Sequence, residues 1–187
     1  TVERSAFSSS HGNVTLGSMP SLLTVERQAF YNFRGKLLIS AGDVPNVTHF
    51  AYMAFYHCRH PDTIISFGAM PSLIYVDYYA FHYISGTVLI AAGDMPQLRY
   101  INYNAFSSNG NSSSTISMGA LPALEYIHNS AFYGFPGNLT ISAGDMPVMH
   151  SIYSAAFKAT SNLNSTITFG AMPSLLCVYN SAFHAFK

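Results

Sequence analysis

The chain has 187 residues, of which 49% are apolar and 9% charged, with a formal net charge of +0. That length and apolar content support one domain with a buried core and argue against an intrinsically disordered chain. Charge is well under half the roughly 25% of an ordinary soluble domain and shows no basic excess, which argues against a nucleic-acid partner. No apolar run reaches the roughly 18 residues that a membrane span needs. A surface so short of charge calls for another source of solubility, either glycans or burial in an assembly.

The chain opens with TVERSAF, which recurs as TVERQAF at 24–30, so Thr1 falls inside a repeat, as does Lys187. Neither end resembles the capping unit that covers the core of a solenoid. The expectation is a single solenoid segment over 1–187 with both ends uncapped, a section of something longer. The dipeptide Ala-Phe sets the period, with Phe at 7, 30, 55, 81, 106, 132, 157 and 183. The step from Phe7 to Phe30 is the shortest; thereafter 25 and 26 alternate. Periods in this range mark stacked coils, here about eight of them on a 51-residue two-coil superperiod.

Within each coil the first predicted element is a short strand: LLISAG at 37–42, TIISFG at 63–68, TVLIAAG at 87–93, STISMG at 114–119, NLTISAG at 138–144 and STITFG at 165–170. Each alternates, is rich in β-branched residues and ends at a Gly followed within three residues by Pro, which cannot donate to a ladder. Ile39, Ile65, Ile90, Ile116, Ile141 and Ile167 form the central inward row. After the Pro, the coil reads Leu-x-x-Ile/Val-x-x-x-Ala-Phe, as at Leu73, Val76, Ala80 and Phe81. One coil cannot bury these rows alone, but a stack can.

The motif LxxIxxxAFxxx…LxI resembles the bacterial-surface-antigen (BspA-like) type of leucine-rich repeat, found in surface proteins of bacteria and protists. Leu73, Val76, Ala80, Phe81 and Ile90 hold the matching positions of one coil, and Cys58 stands three residues after a Phe, where that family often has Cys. The resemblance covers the whole chain and departs from the family in the Gly-Asp/Ala-Met-Pro linker and a slightly longer unit. It implies an α/β-type repeat solenoid dominated by β structure, with one parallel strand per coil and little regular helix. It also implies a surface-exposed role, adhesive or structural.

The coils are of two kinds. Asp43, Asp94 and Asp145 follow the Gly in alternate coils, while Ala69, Ala120 and Ala171 take that place between them. The coils with Asp carry Leu or Val, Ile and Ala on the inward side, as at Leu37, Ile39 and Ala41. The others carry Thr or Ser, Ile and Phe or Met, as at Thr63, Ile65 and Phe67. Bulk lost at one row returns at the other, so neighbouring coils are expected to interdigitate large against small. The aspartates are expected to bond backbone N–H groups in the turn.

On the outward side, Leu38, Ile64, Leu89, Thr115, Thr140 and Thr166 form a row on a flat, nearly uncharged surface, a candidate contact face. Five sequons, at Asn13, Asn46, Asn111, Asn138 and Asn164, are candidates for N-linked glycans, with the last three expected just before successive strands. Thirteen Tyr, several of them between the Leu and the Phe of a coil, supply a second candidate binding surface. Cys58 and Cys177 lie too far apart for a disulfide and are expected in buried apolar rows. The His57-Cys58-Arg59-His60 run is expected to be a turn, not a metal site, and Glu3-Arg4 and Glu26-Arg27 to pair diagonally across coils. No catalytic, cofactor-binding or metal constellation emerges. The expectation is a structural segment of an extracellular N-glycosylated repeat protein, in a fibre or surface coat. Its partners would be further repeats or copies of itself end to end. The alternative is a cell-surface adhesin or receptor ectodomain that binds a protein or glycan through the outward sheet or the Tyr-rich face.

Overall fold

The computed structural model describes residues 1–109 and 111–187. In chain order the strands are β1 (Val14–Leu16), β2 (Thr24–Val25), β3 (Leu37–Ser40), β4 (His49–Phe50), β5 (Ile64–Phe67), β6 (Tyr75–Val76) and β7 (Thr87–Gly93). They continue with β8 (Tyr100–Ile101), β9 (Thr115–Met118), β10 (Tyr126–Ile127), β11 (Asn138–Ser142), β12 (Ser151–Ile152), β13 (Thr166–Thr168) and β14 (Cys177–Val178). The odd-numbered strands form one parallel seven-stranded sheet and the even-numbered strands another, each ordered as in the sequence. No helix forms among the described residues. The expected solenoid is present, with about seven full turns and a partial first coil that joins through the Val2–Val25 bridge.

Each coil therefore has two strands rather than the expected one. The second is only two residues long, too short to show alternation, yet it repeats because its inward residue (Val25, Phe50, Val76, Ile101, Ile127, Ile152) belongs to the core. The corner after it is made by the Ala-Phe dipeptide. Residues two before and two after each Phe adopt a left-handed conformation, such as Tyr79 and Tyr83 around Phe81 and Ala155 and Ala159 around Phe157. Non-glycine residues meet a steric penalty there. The corner holds them with bonds to the next coil: Tyr79 N–H donates to Tyr103 C=O at 3.0 Å and Phe81 N–H to Ala105 C=O at 2.7 Å. Inside the corner, the eight Phe rings of Phe7 to Phe183 stack in one continuous column with centroids 4.9–5.2 Å apart.

The two sheets differ in register. Along the short sheet, partners are always one Phe-to-Phe step apart, as in Tyr75 with Tyr100 and Tyr100 with Tyr126. Along the long sheet a longer step (Ile39 with Ile65) is followed by a shorter one (Ile65 with Val88). The inward rows are thus straight only from a coil with Asp to the coil after it. There, Ile39 faces Ile65, and the interdigitation holds. On the next joint the row slips by two residues, so that Phe67 faces Ile90 and Ile65 faces Val88. This slip explains the alternation of coil length. A coil without Asp takes ten residues from Phe55 to Ile65, against seven from Phe81 to the paired Val88. The additional three form a turn closed by Thr63 N–H to His60 C=O, repeated at Ser114 to Asn111 and Ser165 to Asn162, at 3.0–3.1 Å. A coil with Asp takes eighteen residues from Val88 to Phe106, against sixteen from Ile65 to Phe81, and β7 carries a bulge at Ala91/Gly93 within that stretch. The first coil, the short one from Phe7 to Phe30, reaches Val14 in seven and lacks the extra turn.

Candidate interaction surfaces

The joints between coils determine what remains for the outside. At each joint from an Asp coil to the following plain coil, the carboxylate reaches across. Asp43, Asp94 and Asp145 Oδ1 accept from Ala69, Ala120 and Ala171 N–H at 2.7–2.8 Å. The preceding glycines donate as well: Gly68 N–H to Gly42 C=O, Gly119 to Gly93 and Gly170 to Gly144, each at 2.7 Å. A Cβ on Gly68, Gly119 or Gly170 would collide with the aspartate Oδ1, so Gly is required where the Asp arrives. Gly42, Gly93 and Gly144 have open space around them but φ near +63°, which only Gly adopts without strain. The same joint carries a hydroxyl bond. Thr63 Oγ1, Ser114 Oγ and Ser165 Oγ accept from Leu37, Val88 and Leu139 N–H at 3.4, 3.0 and 3.1 Å. The aspartates are therefore inter-coil acceptors.

On the other joint, Gly35, Gly86 and Gly137 lie against the backbone of the preceding coil, where a Cβ would strike the carbonyl of Gly12, Thr63 or Ser114. This 51-residue glycine row was readable in the sequence as a spacing. A further row has the same 51-residue spacing: Cys58, Asn109 and Thr160 alternate with Phe33, Ile84 and Phe135. Cys58 Sγ–H, Asn109 Nδ2–H and Thr160 Oγ1–H point inward and donate to the Phe55, Phe106 and Phe132 carbonyls at 3.4, 3.2 and 3.1 Å. Burial pushes the Cys58 thiol far up from its usual pKa, so it is a poor nucleophile. Beside it, Arg59 is exposed and His60 Nδ1 accepts from Asp62 N–H at 3.2 Å.

Two expectations need correction. Cys177 is exposed: it occupies the outward position of its two-residue strand, the position of Tyr75, Tyr100 and Tyr126, and not an apolar core row. The Glu3-Arg4 and Glu26-Arg27 pairs do not bridge. Among the described residues the ion pair is Arg99–Glu125, with Tyr100 Oη–H donating to Glu125 Oε2 at 2.9 Å. Glu26 Oε1 instead accepts from Thr24 Oγ1–H at 2.8 Å, and Arg27 lies 4.7 Å over the Tyr52 ring.

The outward row of the long sheet is rearranged by the register slip. Leu38 pairs with Ile64, Leu89 with Thr115, and Thr140 with Thr166. Ile64, however, pairs with Thr87 and Thr115 with Asn138. The six residues of the candidate contact face therefore form three separate pairs, stepped across the sheet. The apolar pair Leu38–Ile64 borders a shallow hollow of ≈ 340 Å³ shared with Thr15, Leu16 and Ser40, and Ile64 is 42% exposed.

Of the sequon asparagines, Asn13, Asn46 and Asn164 are exposed and Asn111 is half-buried. Asn138 is not ahead of its strand as expected but is the first residue of β11, half-buried, with a buried Oδ1 that has no partner. Asn13, Asn111, Asn138 and Asn164 lie at or before the start of long-sheet strands, whereas Asn46 lies beyond the end of β3.

The short sheet carries the aromatic surface. Tyr75, Tyr100, Tyr126 and His150 stack with near-parallel rings 5.4–5.8 Å apart. The column breaks at its first member, since His49 meets Tyr75 at 66°. At the break is a groove of ≈ 340 Å³ lined by His49, Tyr75, Asp77, Tyr78, Asn102 and His128. Asp77 Oδ1 accepts from Tyr78 N–H at 2.7 Å and Asn102 Nδ2–H at 3.4 Å. A second column, His128, Tyr153 and Tyr179, stacks at 4.9 Å. Near the next corner, His82 is buried among Tyr56, Tyr79 and Tyr83, with Nδ1 2.6 Å from Ser107 Oγ. Burial lowers its pKa to about 4.

Among the described residues no helix is long and apolar enough to cross a membrane. Neither a curated protein nor a solved structure matches the chain. The profile described as a BspA type leucine rich repeat region does match, in six copies over residues 1–86 and 48–186. With two parallel sheets, a continuous Phe column and one Ala-Phe corner per coil in agreement with that match, the chain belongs to the BspA-type leucine-rich-repeat family.

Proposed function

We propose that the chain is a structural segment of an extracellular, N-glycosylated repeat protein that builds a fibre or surface coat. The observation that carries this reading is the placement of the sequons. Four of the five lie at or before the start of long-sheet strands and the fifth beyond the end of β3, and glycans on the three exposed ones, Asn13, Asn46 and Asn164, would sit at the strand ends and leave both flat faces uncovered. Glycans at the strand ends would solubilise a chain with 9% charged residues, while the faces stay free for lateral contact. Family membership supports a surface-exposed role. Expression in a glycosylating eukaryotic host, with glycopeptide mass spectrometry and electron microscopy of the particles, tests the reading. Occupied Asn13, Asn46 and Asn164 with elongated or laterally associated particles are expected, whereas unmodified sequons and isolated monomers would overturn it.

The aromatic groove supports a second reading, an adhesin that binds a glycan. A carboxylate and an amide beside an exposed ring edge offer the acceptors, donors and apolar surface that sugar hydroxyls and ring faces require. Glycan-array binding that is lost in Asp77→Ala and Tyr75→Ala together, with unchanged melting, would favour it over the coat.

A further inference from the structure

The aromatic groove originates in one row of the short sheet. The residue after each two-residue strand runs Glu26, Ala51, Asp77, Asn102, His128, Tyr153 and Tyr179. The last three are the rings stacked at 4.9 Å. That column stops at His128, and the groove of ≈ 340 Å³ opens where Ala51, Asp77 and Asn102 stand in place of rings. Small-molecule sites occupy roughly 300–1,000 Å³. His128, with one face on Tyr153, borders the groove, and Tyr75, Tyr78 and Tyr100 supply apolar wall.

The charge in this groove is uncompensated. Asp77 makes no ion pair among the described residues. Its Oδ1 accepts from Tyr78 N–H and Asn102 Nδ2–H, while Oδ2 has no partner among those residues. No Lys or Arg lines the groove. Arg99 lies with its guanidinium 5.5 Å from the Tyr100 ring centroid, but it is committed to Glu125, to which its Nε–H donates at 2.6 Å. Burial pushes the His128 pKa down, toward the neutral ring. A ligand here meets one carboxylate and aromatic surface, with no guanidinium or ammonium of the chain beside them.

We propose that the groove takes a sugar with a free amino group, its ammonium donating to Asp77 and the apolar face of its pyranose against the ring walls. The inference rests on the glycan-binding reading and names the class of glycan. Charge makes the selection. An ammonium gives the unpartnered Asp77 oxygen a charge-assisted hydrogen bond, stronger than a neutral hydroxyl gives. An N-acetylated sugar lacks that cation. An acidic sugar would bring a second negative charge to Asp77 with no Lys or Arg in the groove to receive it.

The test titrates the full 187-residue chain with glucosamine disaccharide, its di-N-acetylated form and Nα-acetyl-lysine amide, following the NMR shifts of the Ala51 amide and the Asn102 side-chain amide. The amino disaccharide is expected to bind at least about tenfold more tightly than the acetylated one. Asp77→Asn keeps the Oδ1 that accepts from Tyr78 N–H, and it should bring the two sugars to equal affinity with the Tm unchanged. Asn102→Tyr extends the ring column of Tyr179, Tyr153 and His128 into the groove, and it should abolish binding without lowering the Tm. Equal affinity of the two sugars for the parent chain, or binding untouched by Asp77→Asn, overturns the proposal and leaves the glycan-binding reading standing. Lysine amide bound as tightly as the amino sugar would show that charge alone is read, which overturns the sugar assignment. If neither sugar binds the parent chain, the glycan-binding reading falls together with the proposal.

Discussion

The long and short sheets are built from the same coils, yet they stack differently. Along the short sheet, equivalent residues stay in line: the inward row holds Val, Ile and one Phe, and the outward row carries rings at His49, Tyr75, Tyr100 and Tyr126. Flat rings stacked at 5.4–5.8 Å suit the separation of neighbouring coils and leave nothing to gain from a shift. Along the long sheet, two chemically different joints alternate. One is held by an aspartate and a hydroxyl that bond backbone N–H groups across the gap. The other is held close by a glycine that lets one backbone pass over another. The difference shows that a solenoid of one repeat family can carry two interface types, and that backbone locks, more than side-chain volume, decide the register.

The largest test of this contrast is Gly86→Ala. Its Cβ would strike the Thr63 carbonyl, a backbone atom that cannot turn aside. The expected loss is about 3 kcal/mol, read as a fall in the denaturation midpoint. Gly93→Ala is the control in the other joint: with open space but φ at +62°, it should cost only about 1 kcal/mol. Equal losses would erase the distinction between the joints. Next is Ala92→Phe, which overfills a fully buried position beside the bulky Met of the following coil and should cost about 1–3 kcal/mol. A melt indistinguishable from the parent would remove volume complementarity from the account of the Asp joint.

A pH titration probes the corner. His82 is held neutral, with a pKa of about 4 in the fold against 6.5 when unfolded. The unfolded chain therefore binds the proton first, and stability, complete above pH 6.5, should fall as the pH drops toward 4. His82→Gln should flatten that part of the pH–Tm curve; an unchanged slope would place the effect elsewhere. The smallest effect is expected from Asp94→Ala. The bond to Ala120 N–H is exposed, so its loss should cost about 0.5 kcal/mol and show most clearly as faster exchange at Ala120.

Much of this was legible in the chain. The Ala-Phe spacing identified the solenoid, the alternation before each Gly identified the long strands, and the Asp/Ala beat identified the two coil types. The short strands were not legible, since two residues carry no period. Nor was the stepped outward face: Ile64 and Leu89 occupy the same place relative to their glycines but not in the sheet. The aromatic groove escaped for a related reason, because Tyr75, Asp77 and Asn102 are ordinary surface residues until stacking sets them side by side.

Sequence alone determined that these coils stack, how many there are and that they come in two kinds, because repetition and buried rows are properties of the order of residues. Only the tertiary structure decided how one coil sits on the next. That register depends on where the Asp43 carboxylate finds an N–H and where the Gly86 backbone clears a carbonyl, and both are distances between chain segments that the order of residues does not contain.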